Sequence, residues 1–302
     1  MTLSYDSVIK KALDKRNLTI MTIALSVLVL ASTIIFGYQV LVVAAVSLVT
    51  ALLVELMFSK GRKIEFDGAW MIYPLLLTLL IPSTLELKHV WMVAVGSAFG
   101  TFFGKGIFGG SGKYVFNPAL VGLLFITISF PAYFPTMLVR ANQVGTDYTL
   151  MQMLLGDAPG ALGETLRLGI IILGLVLIGL KVIDWKIPLT ILLGVFVFTQ
   201  LGVWFGFDGF PDSAFNSLFV GNLVLVSFFI ATDETTAPLF PWGRVLFGIG
   251  IAFLTVLIRF FATFPDGTMF AIILMSAVAP LIDSMFFARI EKKEGATDES
   301  KS

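Results

Sequence analysis

The sequence predicts an all-α polytopic membrane protein, with ten transmembrane helices in two inverted five-helix repeats. Three observations predict it. The 302 residues are 57% hydrophobic, with a mean hydropathy of +0.95, which no ordinary soluble domain shows. Apolar segments of bilayer length recur along the whole chain, and ten are counted. When these segments alternate in direction, all of the 20 Lys and Arg residues except Lys88, Arg140, Arg167 and Arg259 fall on one face. By the positive-inside rule that face is the cytoplasm, and both termini lie there.

Residues 1–17 form a basic amphipathic segment (Lys10, Lys11, Lys15, Arg16) that suits the membrane surface. No small-residue cleavage site follows the first apolar run, so it reads as a retained helix and not a signal peptide. Membrane repeat one covers 18–131. It opens with a hairpin, Leu18–Phe36 and Gln39–Phe58, followed by a basic loop at Ser59–Lys63. A short segment, Ala69–Ile81, is stopped by Pro82. Val90–Phe108 carries Gly96, Gly100 and Gly104 at intervals of four, which permits close helix packing. Pro118–Phe130 completes the repeat, and 132–165 is the longest polar stretch, an outer-face loop.

Repeat two, 166–288, holds Leu166–Ile183, Ile187–Phe205, Leu218–Ala231, Val245–Phe264 and Met269–Phe287. Residues 289–302 are charged and small, and read as a disordered cytoplasmic tail. Five segments per half is an odd number, so the second half enters from the opposite face. The two short segments, ending LLLTLLIPST and LVSFFIATDE, fall in equivalent places. Trp70, Trp91, Trp185, Trp204 and Trp242 sit near segment ends, as interfacial anchors do.

Composition also excludes functions. The 20 acidic residues balance the 20 basic ones, so nothing points to nucleic acid. With no cysteine, the chain holds no disulfide and no Cys-ligated iron–sulfur cluster. The single histidine, His89, cannot supply a bis-histidine haem and suits a helix end at the interface. No Gly-rich nucleotide fingerprint follows a strand. Electrons carried by this chain therefore travel on an organic cofactor.

Two stretches break the apolar pattern: Gly104–Gly122 (GKGIFGGSGKYVFNPALVG) and Val226–Arg244 (VSFFIATDETTAPLFPWGR). Adjacent carboxylates at Asp233 and Glu234 close a membrane-length run, which is expensive unless water, a partner or a ligand meets them. A solvated surface loop is the plainer alternative. Broken segments in corresponding halves favour a central site.

These stretches resemble the RnfD/NqrB family: the membrane subunit RnfD of Rnf complexes and NqrB of sodium-pumping NADH:quinone reductases. The matching motifs are FGG at 108–110, FNPALVG at 116–122, PGALGET at 159–165, FFIATDETTAP at 228–238, PDG at 265–267 and FAIILMSAVAPLID at 270–283. Compact loops and length look closer to RnfD. The resemblance implies a urea-transporter-like scaffold and flavin-based electron transfer coupled to Na+ or H+ movement. Other Rnf-type subunits, bearing iron–sulfur clusters and flavin, are the implied partners. It further implies a non-covalent riboflavin, and an FMN joined to a threonine in a Ser/Thr-Gly-Ala-Thr motif on the outer face.

The outer stretch departs from that motif. It reads RANQVGTDYTLMQ over 140–152, which puts Asp147 at the acceptor position and Val144 at the preceding Ser/Thr. An aspartate cannot form the phosphoester. Thr149, then Thr146, are the fallback acceptors, with plain loop hydroxyls as the alternative.

An isoalloxazine ring needs apolar walls and a few donors and acceptors at its pyrimidine edge. Asn117, before Pro118, suits that edge and equally suits a helix N-cap. Thr232 and Asp233 are the facing candidates; Asp233 either contacts flavin or pairs with Arg244 or Lys105. Lys105 and Lys113 read as cytoplasmic anchors. Asp233 and Asp283 are the ion-path candidates, with a helix-end charge as the alternative for Asp283. The expected function is a flavin-carrying subunit of an Rnf-type ferredoxin:NAD oxidoreductase, inactive alone. The alternatives are an NqrB-like subunit or a non-redox solute carrier on the same scaffold.

Overall fold

The computed structural model describes residues 14–63, 66, 68–134, 149–155, 160–164, 167–207, 209–211, 213–262 and 266–299, with side chains through 288. It is helical throughout, and no strand occurs among the described residues beyond one isolated bridge between Pro82 and Ala161. Six helices are long and apolar enough to cross a membrane: Lys15–Phe36, Gln39–Arg62, Leu87–Phe108, Lys186–Trp204, Pro241–Phe261 and Thr268–Ala288. The chain is a multi-pass all-α membrane protein.

The helices are α1 (Lys15–Phe36), α2 (Gln39–Arg62), α3 (Ile72–Leu80), α4 (Trp91–Phe99), α5 (Pro118–Ser129), α6 (Leu150–Leu155), α7 (Arg167–Gly179), α8 (Lys186–Trp204), α9 (Leu223–Phe229), α10 (Pro241–Phe261) and α11 (Thr268–Glu299). A π-helical turn, Gly100–Lys105, extends α4. The backbone of α11 stays helical to Glu299, past 288, where composition suggests a disordered tail. Its EKKE run is made of helix formers, so the charge that argues against burial does not argue against helix.

The short helices lie inside the bundle. Every residue of α3 and of α9 is buried. Helix α3 packs on α1, α2 and α5, and α9 packs on α7, α8 and α11. The remaining pairings correspond as well: α2 with α4 and α8 with α10, then α4 with α5 and α10 with α11. Between the halves, α1 meets α7 and α5 meets α11.

Lipid supplies no hydrophobic drive between helices, so close approach and internal hydrogen bonds hold these contacts. A Cβ on Gly100 would lie 2.3 Å from the Pro118 carbonyl oxygen, and one on Gly122 2.3 Å from that of Gly96. In the second half a Cβ on Gly194 would reach Ala252 at 2.6 Å. Backbone freed at the end of α3 is satisfied from residues 160–163. Leu162 N donates to Ile81 O at 2.9 Å, Gly163 N to Leu79 O at 2.7 Å, and Ser83 N to Gly160 O at 3.1 Å. Irregular backbone at this depth persists because protein groups pair with it.

Candidate functional site

The two broken stretches meet. Gly109, Gly110 and Gly112 take φ of 104°, 100° and 82°, left-handed values that turn the chain sharply between α4 and α5. That turn carries Tyr114 and Asn117. Asn117 is the N-cap of α5: its Oδ1 accepts from Ala119 N at 3.0 Å, with Pro118 at the first helical position. Its Nδ2 donates to Asp233 Oδ2 at 3.0 Å. The two residues singled out from separate halves thus touch, and Asn117 serves as cap and site residue together.

Asp233 accepts two further bonds, from Tyr114 Oη at 2.8 Å and from Thr235 N at 3.0 Å. Tyr114 Oη is also bonded to Tyr73 Oη from α3. All three donors to Asp233 are neutral. Neither expected cationic partner reaches it. Arg244 instead donates to Glu234 Oε2 at 2.5 Å, Asp184 Oδ2 at 2.9 Å and Pro238 O at 2.9 Å. Lys105 is no surface anchor: it is 1% exposed, ion-paired with Glu55 of α2, and 5.4 Å from the Tyr73 ring centroid. A buried ammonium requires such a partner, and Glu55, distant in sequence, supplies it and draws Lys105 inward from the surface.

Thr232 Oγ donates to Phe228 O at 2.6 Å, closing the end of α9. Asp283 accepts from Leu239 N at 2.9 Å, just ahead of α10, so its charge sits at a helix start and favours that dipole. Thr149 lies far from these residues in sequence and N-caps α6. Thr149 N donates to Gln152 Oε1 at 2.9 Å and Gln152 N donates to Thr149 Oγ1 at 3.3 Å, a capping box, and the Thr149 hydroxyl also donates to Gln152 Oε1 at 2.9 Å. Thr146 and Asp147 lie outside the described residues, as do Lys10, Lys11, Pro159, Thr165 and Pro265.

A cavity of about 260 Å³ opens beside Tyr114. Val115, Ala237, Leu239, Ala279 and Phe287 wall it, and Thr235, Thr236, Ser276, Ser284 and Asp283 supply polar atoms. The Ser276 hydroxyl is buried with no hydrogen-bond partner. Pro280, four residues on, has no N–H for the Ser276 carbonyl. A smaller cavity of about 70 Å³ holds Tyr73, Asn117, Thr232 and Asp233, and shares Tyr114, Glu234 and Thr235 with the first.

Outside the membrane segments, burial alone would raise the Asp184 carboxyl. The Lys186 N–H and the Arg244 guanidinium outweigh it and hold the carboxyl below its usual range. At the opposite end of the bundle, Arg167 donates to Glu164 Oε1 at 2.7 Å and to Met153 O at 2.6 Å, and Arg259 donates to the carbonyls of Ser217 and Val220.

Comparison with known proteins agrees with the residue pattern. The model of the NQR2, RnfD, RnfE family matches residues 7–291. The NqrB protein of the Na+-translocating NADH-quinone reductase of Chromohalobacter salexigens is 33% identical over 257 residues, covering 77% of this chain and 61% of that protein. The corresponding proteins of Ectopseudomonas mendocina and Azotobacter vinelandii are 34% and 33% identical over 253 residues, covering 76% of this chain and 62% of each. The chain spans about three fifths of the length of these relatives. With nearly all of its length matched, and with both broken stretches inside that match, this chain belongs to the NQR2, RnfD, RnfE family.

Proposed function

We propose that this chain is the flavin-carrying membrane subunit of an Rnf-type ion-translocating ferredoxin:NAD oxidoreductase complex. It passes electrons within the membrane, coupled to Na+ or H+ movement, and works only with its partner subunits. One observation carries the reading: two helix breaks from separate halves converge on Tyr114, Asn117 and Asp233, beside a ring-sized cavity. The mirrored pairings of α1–α5 and α7–α11 support a ten-helix inverted repeat of the urea-transporter type. So does the gathering of Glu55, Lys105, Asn117, Asp184, Asp233 and Arg244 at one end, with Glu164, Arg167 and Arg259 at the other. Those are the faces that alternating segments assign, with the first set cytoplasmic.

The larger cavity fits an isoalloxazine ring: about 260 Å³, near the ~300 Å³ lower end of ligand sites, with apolar walls and an unpartnered Ser276 hydroxyl. Thr235, Thr236 and Ser276 would hold its polar edge, and the bound group would supply the one- and two-electron chemistry that no side chain here can. Asn117 and Asp233 bond each other, and their remaining bonds go to Ala119, Tyr114 and Thr235, so their part is to hold Tyr114 and the cavity wall. For the covalent FMN, Thr149 is tied up as a cap and Asp147 is the wrong chemistry, so attachment is expected to be absent. A sodium-pumping NADH:quinone reductase subunit is the second reading, favoured by the names of the relatives.

The complex purified through a tag on this chain tests the proposal by flavin extraction and identification by mass. Stoichiometric flavin, reduced when Ala279→Trp fills the cavity, is expected. A colourless complex would overturn the reading in favour of a solute carrier.

A further inference from the structure

Asp233 is a half-buried carboxylate whose described partners are all neutral, and no basic side chain lines either cavity among the described residues. Three neutral donors, and no cation, meet its charge. Glu234, next in the chain, has Arg244; Glu55 has Lys105; Asp184 has Arg244 and Lys186; Asp283 has backbone N–H groups. These are the charged groups that the surrounding elements turn toward the site. None of those cations pairs with Asp233.

Hydroxyl chemistry fixes the direction of the bonds that reach it. Tyr114 Oη has one proton and commits it to Asp233, so in the bond between the two tyrosines Tyr73 is the donor. Tyr73 and Tyr114 are 8% and 3% exposed, and both line the smaller cavity, whose 70 Å³ accommodates about two waters at ~30 Å³ each. A directed chain therefore runs from the smaller cavity through Tyr73 Oη and Tyr114 Oη to Asp233 Oδ2.

We infer that the tyrosine pair is a proton relay that charges and discharges Asp233. When a water-borne proton adds to Tyr73 Oη, the Tyr73 proton passes to Tyr114 Oη and the Tyr114 proton to the Asp233 carboxylate. Three O–H bonds form and three break, counting the one in the donating water species, and each phenol ends neutral as it began. No oxidant or reductant takes part. The reverse sequence restores the carboxylate. The relay takes its purpose from the ion-coupled reading above, on which it rests: a carboxylate that alternates between neutral and charged can admit or expel a small cation in step with electron transfer.

Infrared difference spectroscopy on the purified complex tests the relay without turnover. A carboxylic acid C=O band that vanishes in Asp233→Asn identifies the group, and its rise after a rapid pH drop gives the protonation rate. Tyr73→Phe keeps the ring and leaves the Tyr114–Asp233 bond in place, and is expected to slow that rate by about tenfold or more. Tyr114→Phe removes both links; it is expected to slow protonation as much and to displace the midpoint as well. Rates equal to the parent in both variants would overturn the relay, as would an Asp233 band that never appears between about pH 5 and pH 9. A complex without flavin would defeat the proposed function yet leave this measurement intact, so the two failures are separable.

Discussion

Asn117 spends one amide on two tasks, and its replacement should expose both. Asn117→Ala removes an N-cap, about 1 kcal/mol, and a bond to a carboxylate, about 1.5–3 kcal/mol. In a double-mutant cycle with Asp233→Ala, thermal stability of the solubilised complex should show a coupling of roughly 1–2 kcal/mol; additivity would mean that the bond contributes nothing. Lys105 gives a sharper contrast. Lys105→Met strands Glu55 in the bundle and should cost about 3–5 kcal/mol, while Lys105→Met with Glu55→Leu should recover most of it. An equally unstable double variant would show that the damage is one of packing. These residues are unequally legible. Asn117 and Asp233 stand out beside prolines and glycines in the sequence. Tyr73 and Tyr114 do not: Tyr73 lies in an apolar run and reads as core, and Tyr114 is overshadowed by the glycines and Asn117 around it, until the two hydroxyls are placed against each other. Glu55 is legible in principle: a lone carboxylate within VVAAVSLVTALLVELMF is costly unless paired, and its partner lies fifty residues away in the chain.

At the scale of elements, glycine spacing tells where helices touch but not which glycines are indispensable. Gly100→Ala would press a methyl to 2.3 Å from the Pro118 carbonyl and push α4 off α5, at about 1–3 kcal/mol. Gly61, near the end of α2, has open space around it, and Gly61→Ala should be neutral or stabilise by about 0.5–1 kcal/mol. Apparent melting temperatures of the two variants check the pair, and a tolerated Gly100→Ala would refute the close-packing account. The PGALG stretch is visible as a motif, yet its task is not. Its backbone pairs with residues 79–83 across a long sequence separation, which no local pattern encodes. The Asp184 turn between α7 and α8 adds a pH signature. Its folded carboxyl titrates below the unfolded value of about 3.9, so its stabilisation is full above that value and fades as pH falls through the lower one. Melting temperature in acid should therefore fall less steeply in Asp184→Asn than in the parent, from a lower starting point. Parallel curves would remove Asp184 from the acid response.

At the scale of the whole molecule, charge and hydropathy make the membrane class plain, whereas the short helices defeat a length criterion. Helix α3 has nine residues and α9 seven, too few to cross alone, and their role appears only once α1, α2 and α5 or α7, α8 and α11 surround them. The inverted repeat makes the last prediction, and the chain's lack of cysteine makes it clean to test. If α1 and α7 correspond, as do α2 and α8, inversion requires the members of each pair to end on opposite faces. Tyr38, just past α1, and Phe205, just past α8, should face the outside; Lys60 near the end of α2 and Gly179 at the end of α7 should face the cytoplasm. Single cysteines at Tyr38, Lys60, Gly179 and Phe205 can be labelled with a membrane-impermeant maleimide in intact cells and in inverted vesicles. Tyr38→Cys and Phe205→Cys should react only in cells, Lys60→Cys and Gly179→Cys only in inverted vesicles. A parallel repeat would instead give Tyr38 and Gly179 one sidedness and Lys60 and Phe205 the other, and that result would dismantle the inverted arrangement while leaving the Asn117–Asp233 contact to be explained some other way.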